Sequence, residues 1–144
     1  MARIRLELPE TLPFHTEIPV RISDINYGNH LGNDAVLSLA HEARLRFLKQ
    51  HGFSELDIDG VGLIIADAVI VYKNQAFYGD VLSVSVGVGE FNRRGCDVFY
   101  RLTDLASGRE VARVKTGIVF YDYHRRKIAG VPESFRRMVG GNGP

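Results

Sequence analysis

One amphipathic helical segment followed by four apolar strand segments restricts the fold more than any other feature of this chain. Residues 60–73 form a long apolar run, and from Leu82 to Val88 the apolar residues recur at every second position, which is the repeat of a β-strand. Before residue 60 the apolar spacing is helical, and five side chains share one helix face: Val36, Leu39, Ala40, Ala43 and Phe47. One helix packed on one antiparallel sheet is an α+β layer architecture.

The strands and turns follow from the same pattern. Pro19 cannot donate to a ladder, so the first strand is expected at a sheet edge or with a bulge. Pro132 is expected to open a short helical turn. We predict strands at residues 16–23, 60–73, 82–89, 97–103 and 110–121.

The long helix carries its own start and stop signals. Asn33 or Asp34 is predicted to cap its first turn by accepting a hydrogen bond from an exposed amide. Glu42 and Arg46 are four residues apart and are expected to pair. Gly52 is predicted to end the helix in a left-handed conformation.

Composition narrows the class of protein. Hydrophobic residues make up 45% of the chain and charged residues 24%, which is typical of a globular domain, here residues 1–139 with a flexible tail at 140–144. The net charge of +1 gives no general attraction to nucleic acid or membrane. The single cysteine, Cys96, excludes an intrachain disulfide, and with no apolar signal segment the expected location is the cytoplasm.

The junction between the first loop and the helix carries a motif. Residues 21–35 read R-I-S-D-I-N-Y-G-N-H-L-G-N-D-A. This string resembles the hot-dog thioesterases related to 4-hydroxybenzoyl-CoA thioesterase and the long-chain acyl-CoA thioesterases, whose motif runs roughly R-x-x-D-x-D-x-x-G-H-V-N-N-A-x-Y and continues to E-x-A-R. The matching residues are Arg21, Asp24, His30, Asn33, Glu42, Ala43 and Arg44, and the later Tyr72 and Gly79-Asp80 also look like that family.

The resemblance implies a fold, an activity and partners. The fold is the hot-dog fold, with one long central helix wrapped by a curved antiparallel sheet of five or six strands. The activity is hydrolysis of an acyl-CoA or other acyl thioester at a subunit interface of a homodimer or homotetramer. No cofactor and no metal are expected. A sheet with only one covering helix also favours a partner subunit on its other face.

Three positions depart from the motif. The family's second aspartate, which is the nucleophile or general base in many members, is Asn26 here. The glycine before the histidine is Asn29, and the first asparagine of the pair is Gly32. Asn26 cannot take a proton at neutral pH, so it would orient a water or bind a carbonyl.

Thioester hydrolysis needs a polarised carbonyl, for which the free amides at a helix N-terminus are suited. The candidate substrate-binding residues are therefore Gly32, Asn33 and Asp34, with Tyr27 beside them. Gly32 would allow close approach of the thioester. The alternative is that these residues only cap the helix.

A base must come from another residue, and the catalytic candidates beside Asn26 are Glu42, His30 and Asp24. Each has a structural alternative. Glu42 would pair with Arg46, Asp24 would tie the loop to Arg21, and His30 would bind loop backbone.

Basic residues near turns are candidate contacts for the CoA phosphates, because arginine binds phosphate through a planar fork. The alternative is a solvated surface charge. The apolar strand at residues 61–71 would line an acyl pocket or, as the commoner case, form core under the helix. The phosphate candidates are Lys73, Arg93, Arg94, Arg125 and Arg126.

Two other functions stay open at this point. One is a non-catalytic hot-dog protein that binds an acyl ligand, with its pocket kept and its base lost. The other is a hot-dog hydratase or dehydratase, because Asp24-Ile25-Asn26 with His30 is similar to the D-x-N-P-x-H motif of enoyl-CoA hydratases. In this chain the histidine falls one residue late and the proline is missing.

Overall fold

A computed structural model of the chain describes residues 3–139, so the predicted tail at 140–144 lies outside the described residues. The helices are α1 (Asn33–Gln50) and α2 (Glu133–Val139). The strands are β1 (Phe14–Pro19), β2 (Gly62–Tyr72), β3 (Val81–Gly89), β4 (Gly95–Asp104), β5 (Glu110–Asp122) and β6 (Lys127–Ile128).

All strands pair in an antiparallel manner in one sheet with the order β1-β3-β4-β5-β2, and β6 pairs with the end of β5. The helix α1 packs on one face of this sheet, against β1, β3 and β5. The prediction of an α+β architecture with one long helix and a sheet of five or six strands is confirmed.

The helix α1 buries the face that its spacing predicts. Val36, Leu39, Ala40, Ala43 and Phe47 are all nearly inaccessible to solvent, and two alanines let the sheet approach closely. A helix with this stripe is stabilised mainly by burial against the sheet rather than by intrinsic propensity.

The two ends of α1 differ from each other in how well the sequence predicts them. Gly52 follows the cap His51 with φ of +79°, which confirms the predicted left-handed stop. The predicted cap at Asn33 or Asp34 is wrong, because Gly32 is the N-cap and no side chain caps the helix. Asn33 and Asp34 belong instead to the first turn.

Strand β1 lies at one edge of the sheet, as Pro19 predicts. It ends at Pro19, however, and does not continue to residue 23. Beyond Val20 the chain turns through a short 3-10 helix at Ile22–Asp24, because the Asp24 carboxylate accepts a hydrogen bond from the Arg21 amide at 2.8 Å. Ile22 lies on this 3-10 helix and is exposed.

Strand β2 lies at the other edge, and the expectation that most of it forms core is wrong. Residues 64–68 are exposed, because the strand lies beyond the part of the sheet that α1 covers. A bulge between Ile65 and Asp67 interrupts its pairing with β5. There the Asp67 carboxylate accepts hydrogen bonds from Gly117 N at 3.0 Å and Lys115 Nζ at 2.8 Å, so a side chain replaces a backbone acceptor.

The short helix α2 closes one end of the core. It begins at Glu133, one residue after Pro132, as the sequence predicts. Its buried Phe135 ring packs 5.1 Å from the Phe120 ring, between centroids, with Phe53 and Phe91 nearby. In the described residues, neither helix has both the length and the apolar character of a membrane span.

Candidate active site

The first turn of α1 presents free backbone amides. The Gly32 amide donates to Asp24 O at 2.9 Å, and the Leu31 amide donates to Ala76 O at 2.7 Å, so the chain entering the helix is fixed by neighbouring loops. Within residues 3–139 we find no acceptor for the amides of Asn33 and Asp34. Free amides at this position bind anions and developing negative charge.

The loop before the helix brings Asn26 and His30 together. A β-bridge between Ile25 and Leu31 closes the loop, and Asn26 Oδ1 accepts a hydrogen bond from Gly28 N at 2.9 Å. A Cβ atom built on Gly28 would lie 3.2 Å from both Asn26 Oδ1 and His30 Nε2. The two side chains therefore face each other across Gly28, and both are half-buried.

The departure from the motif at Asn29 preserves the backbone. Asn29 has φ of +66°, which is the left-handed region. Asparagine is one of the few residues that adopts this conformation at little cost, after glycine. Replacement of the motif's glycine by Asn29 therefore keeps the turn that presents His30.

A cavity of about 440 Å³ runs along α1 from its first turn, and we call it the helix cavity. Asp34 and Arg44 mark its two ends on the helix, ten residues and therefore about 15 Å apart along the axis. One wall is α1 and the other is formed by β2 and β5. Its lining residues are Asp34, Leu37, Ser38, His41, Arg44, Glu55, Leu63, Ile65 and Thr116.

A buried polar network forms the far end of the helix cavity. Arg44 Nε donates to Glu55 Oε2 at 2.6 Å, and Arg44 Nη1 donates to the Tyr100 hydroxyl at 3.0 Å. The Tyr100 hydroxyl lies 2.7 Å from Thr116 Oγ1, and His41 Nε2 lies 3.0 Å from Glu55 Oε1. Such networks rigidify a core when every member has a partner, as here.

The protonation of this network follows from burial and pairing. Burial favours the neutral form of Glu55, but hydrogen bonds from Arg44 and His41 outweigh it and hold the pKa of Glu55 below its usual value. Burial likewise opposes the charge on Arg44, yet Tyr100 and Glu55 outweigh it and the pKa of Arg44 is raised. Burial raises the pKa of Tyr100, so the hydroxyl is neutral. The cavity therefore ends in a fixed ion pair.

Asp34 lies at the opposite end of the helix cavity, beside the free amides. Its Oδ1 atom is 2.8 Å from the place that a Cβ atom on Gly32 would occupy, and Asn26 Cβ is 3.6 Å from the same place. Only a glycine at position 32 leaves room for this arrangement. The carboxylate has no hydrogen-bond partner in the described part of the chain.

The remaining catalytic candidates are Asp24, Glu42 and His30. Each has the structural partner that its alternative role predicted. Asp24 is buried and accepts from the amide and the guanidinium of Arg21. Glu42 accepts from Arg46 Nε at 2.8 Å and lines a separate depression beside β1. His30 Nδ1 lies 3.2 Å from Leu31 O, so it also meets the backbone as that alternative predicts.

The substrate-binding and phosphate candidates are dispersed. Tyr27 is fully exposed on its loop. Lys73 lines a cavity of about 250 Å³, the loop cavity, together with His30, Asn33 and Tyr72. The Tyr72 hydroxyl donates to Asn33 O at 3.1 Å, so this cavity adjoins the start of α1.

The four arginine candidates are near the opposite end of the sheet from Lys73. Arg93 and Arg94 precede β4, and Arg125 and Arg126 follow β5, whereas Lys73 follows the far end of β2. About 33 Å of strand separates the two ends of β2. Within one chain, these arginines do not converge with Lys73. Cys96 is buried, and burial raises the pKa of its thiol to about 12, as for an unreactive buried cysteine.

The sequence alone did not identify the Arg44–Glu55–Tyr100–Thr116 network, because its members are far apart in the chain. Arg44 appeared only as a motif residue. A second signal was available locally: the motif has alanine at the position of Asp34, so this chain loses a carboxylate at Asn26 and has one at Asp34.

Comparisons with known proteins agree with this architecture. A 1,4-dihydroxy-2-naphthoyl-CoA thioesterase from Synechocystis superposes with a TM-score of 0.78 at 23% identity, over 85% of this chain and 92% of that one. A gentisyl-coenzyme A thioesterase gives 0.75 at 19% identity, over 85% and 97%. A Staphylococcus aureus protein in complex with CoA gives 0.76 at 22% identity, over 85% and 78%.

These structural likenesses establish the hot-dog fold, as the resemblance implied. No curated protein sequence matches the chain. Residues 20–139 match the sequence profile of the thioesterase-like superfamily, which is most of the chain. The protein is therefore a member of the thioesterase-like superfamily with a hot-dog fold.

Proposed function

We propose that this protein hydrolyses an acyl-CoA thioester to the free acid and CoA. The observation that carries the proposal is the position of the free amides of Asn33 and Asp34, because Asp34 lines the start of the helix cavity and Asn33 lines the adjoining loop cavity. A thioester carbonyl at this point would receive two backbone hydrogen bonds as negative charge develops on its oxygen. The acyl group would extend along α1.

The size and lining of the helix cavity support an acyl group with polar substituents or a ring. A cavity of about 440 Å³ with Leu37, Leu63 and Ile65 on its walls suits an apolar body. Arg44 and Thr116 supply polar contacts at its far end. The similar structures from Synechocystis and of the gentisyl-CoA enzyme bear names of hydroxylated aryl-CoA substrates, and we propose this class first.

The CoA portion would leave through the loop cavity, where Lys73 and His30 are available to contact it. Asn26 would hold a water or the substrate from the loop side, since its amide group faces His30 across Gly28. Asp24 and Glu42 are weaker candidates for proton transfer, because each carboxylate already pairs with an arginine.

We further propose that the protein acts as a homodimer or a homotetramer formed through β2. This strand is a long apolar edge whose residues 64–68 are exposed, and such edges are normally paired or protected. A two-fold axis beside β2 would pair it antiparallel with the partner strand. The partner's residues that follow β5 would then approach Lys73, which gives the phosphate candidates a common place. The single buried Cys96 fits a reducing cytoplasm.

The test is release of free thiol from a panel of acyl-CoAs that includes hydroxylated aryl, unsubstituted aryl, short alkyl and long alkyl members. We expect turnover with highest kcat/KM for an aryl member. The variant Ser38→Phe, which fills the helix cavity from an exposed position, should lower kcat/KM at least about tenfold for that substrate.

The matched control is Ser83→Phe, since Ser83 lies on the sheet face opposite α1. It should retain the activity of the wild type. Saturable binding of an acyl-CoA without any thiol release would contradict hydrolysis and favour the ligand-binding alternative. Addition of water across an enoyl-CoA double bond would instead favour the hydratase.

A further inference from the structure

We infer that the carboxylate of Asp34 is the general base of this site, an inference that rests on the proposed hydrolysis. Four carboxylates lie near the start of α1, in the helix cavity or further along the helix: Asp24, Asp34, Glu55 and Glu42. Three of them already have cationic partners. Asp34 has none in the described residues, and it lines the helix cavity at the first turn of α1.

Each of the other three carboxylates forms an ion pair with an arginine. Asp24 is 5% exposed and holds the backbone and the side chain of Arg21. Glu55 holds Arg44 at 2.6 Å and lies 3.0 Å from His41. Glu42 pairs with Arg46 at 2.8 Å, and it is eight residues or about 12 Å further along the helix axis than Asp34. Proton uptake by any of these would disrupt an existing ion pair.

The position of Asp34 suits attack on a carbonyl bound at the helix start. Its carboxylate folds back over the first turn, so Oδ1 lies 2.8 Å from the Cβ position of Gly32. Gly32 is the N-cap, directly before the amides of Asn33 and Asp34. Oxyanion donors and base therefore occur within one helical turn, with Asn26 Cβ 3.6 Å from that same Gly32 Cβ position.

The chemical step balances with water as the only co-reactant. Asp34 takes a proton from a water molecule while the water oxygen bonds to the thioester carbon, and the carbonyl oxygen receives the hydrogen bonds of the free amides. When the carbonyl re-forms, the carbon–sulfur bond breaks. The proton held by Asp34 passes to the departing thiolate, so the products are the carboxylic acid and CoA thiol.

The decisive variant is Asp34→Asn in the full-length protein, assayed by thiol release on the best acyl-CoA of the panel. We expect kcat to fall by about 10²- to 10⁴-fold, with KM within about threefold of the wild type. In the wild type the log of kcat should fall with decreasing pH as the base becomes protonated. This acid limb should be absent from the residual activity of Asp34→Asn.

Two further measurements separate a base from a structural residue. Asp59→Asn makes the same chemical change at an exposed aspartate outside the site and should retain wild-type kcat. In Asp34→Ala, added formate should restore part of the rate, since a small carboxylate can occupy the vacated position. The Tm of Asp34→Asn should fall by no more than about 3 °C, because Asp34 is exposed and loses only its interaction with the helix dipole.

The outcomes distinguish this inference from the function on which it rests. Wild-type turnover that persists in Asp34→Asn within threefold, with an unchanged pH profile, overturns Asp34 as the base and leaves the thioesterase standing. Absence of thiol release from every acyl-CoA that the wild type binds overturns the proposed hydrolysis itself, and the role of Asp34 with it.

Discussion

At the residue scale, Gly95 is the position in the sheet where an added side chain would make the shortest contact. A Cβ atom there would lie 1.8 Å from Ile118 O and 3.1 Å from Val119 Cα, both of which are backbone atoms of the neighbouring strand. We expect Gly95→Ala to lower the free energy of unfolding by about 3 kcal/mol and the Tm by roughly 10 °C, because two strands must separate. Denaturant and thermal unfolding measure both.

Gly130→Ala is the matched control for this prediction. The nearest atom to its added methyl group is Arg93 O at 3.6 Å, which is ordinary van der Waals contact, and its φ is not positive. Its stability should stay within about 0.5 kcal/mol of the wild type. Equal stability of the two variants would mean that the strands beside Gly95 separate at no cost.

At the scale of elements, the sequence predicted α1 better than β2. A helix that must cover a sheet needs a continuous apolar stripe, so Val36 to Phe47 reveal the buried face directly. The apolar run of β2 reads the same whether the strand is central or at an edge awaiting a partner. Its exposure at Ile64 and Ile65 follows from sheet order, which no local pattern encodes.

The sequence likewise predicted one part of the candidate site and not the other. The loop motif located Asn26, His30 and the helix start, because these residues are near one another in sequence. The contact between Arg44 and Tyr100 joins residues 56 positions apart and depends on the register of two elements. Only the assembled fold reveals it.

Arg44 of α1 pairs with Glu55 in the loop that precedes β2, and this ion pair predicts that the free energy of unfolding depends on pH. The pKa of Glu55 is lower in the folded protein than its unfolded value of about 4.3, so the folded state binds this proton less readily. The stabilisation is therefore complete above the unfolded pKa and is lost as the pH falls through the folded pKa.

Glu55→Gln isolates this contribution, because other shifted carboxylates such as Asp67 are present in both proteins. We expect the variant to be less stable by about 1–3 kcal/mol at pH 7. The difference should shrink progressively as the pH is lowered through about 4.3 towards 3, in parallel denaturant titrations. A difference that stayed constant across this range would contradict the ion pair.

At the scale of the whole molecule, the exposed edge of β2 is the surface that we propose pairs with a second subunit. We expect the wild type to sediment as the proposed oligomer and Ile64→Lys as a monomer, because a charge at a sheet edge opposes pairing with a second edge. Sedimentation velocity on wild type and variant at equal concentration measures this.

Ile22→Lys makes the same change at an isoleucine that is 73% exposed and lies outside the sheet. It should sediment as the wild type does. Loss of the oligomer in Ile22→Lys, with the oligomer intact in Ile64→Lys, would locate the interface at the loops instead of at β2.

The close approach of Gly32 and Asp34 has a consequence for the direction of a side chain. A Cβ atom at position 32 would lie 2.8 Å from Asp34 Oδ1, and the exposed Asp34 carboxylate would have to turn to another rotamer to make room. An alanine at position 32 would therefore keep Asp34 in the sequence but move its carboxylate away from the first turn of α1. The missing side chain of Gly32 determines where the charge of its neighbour lies.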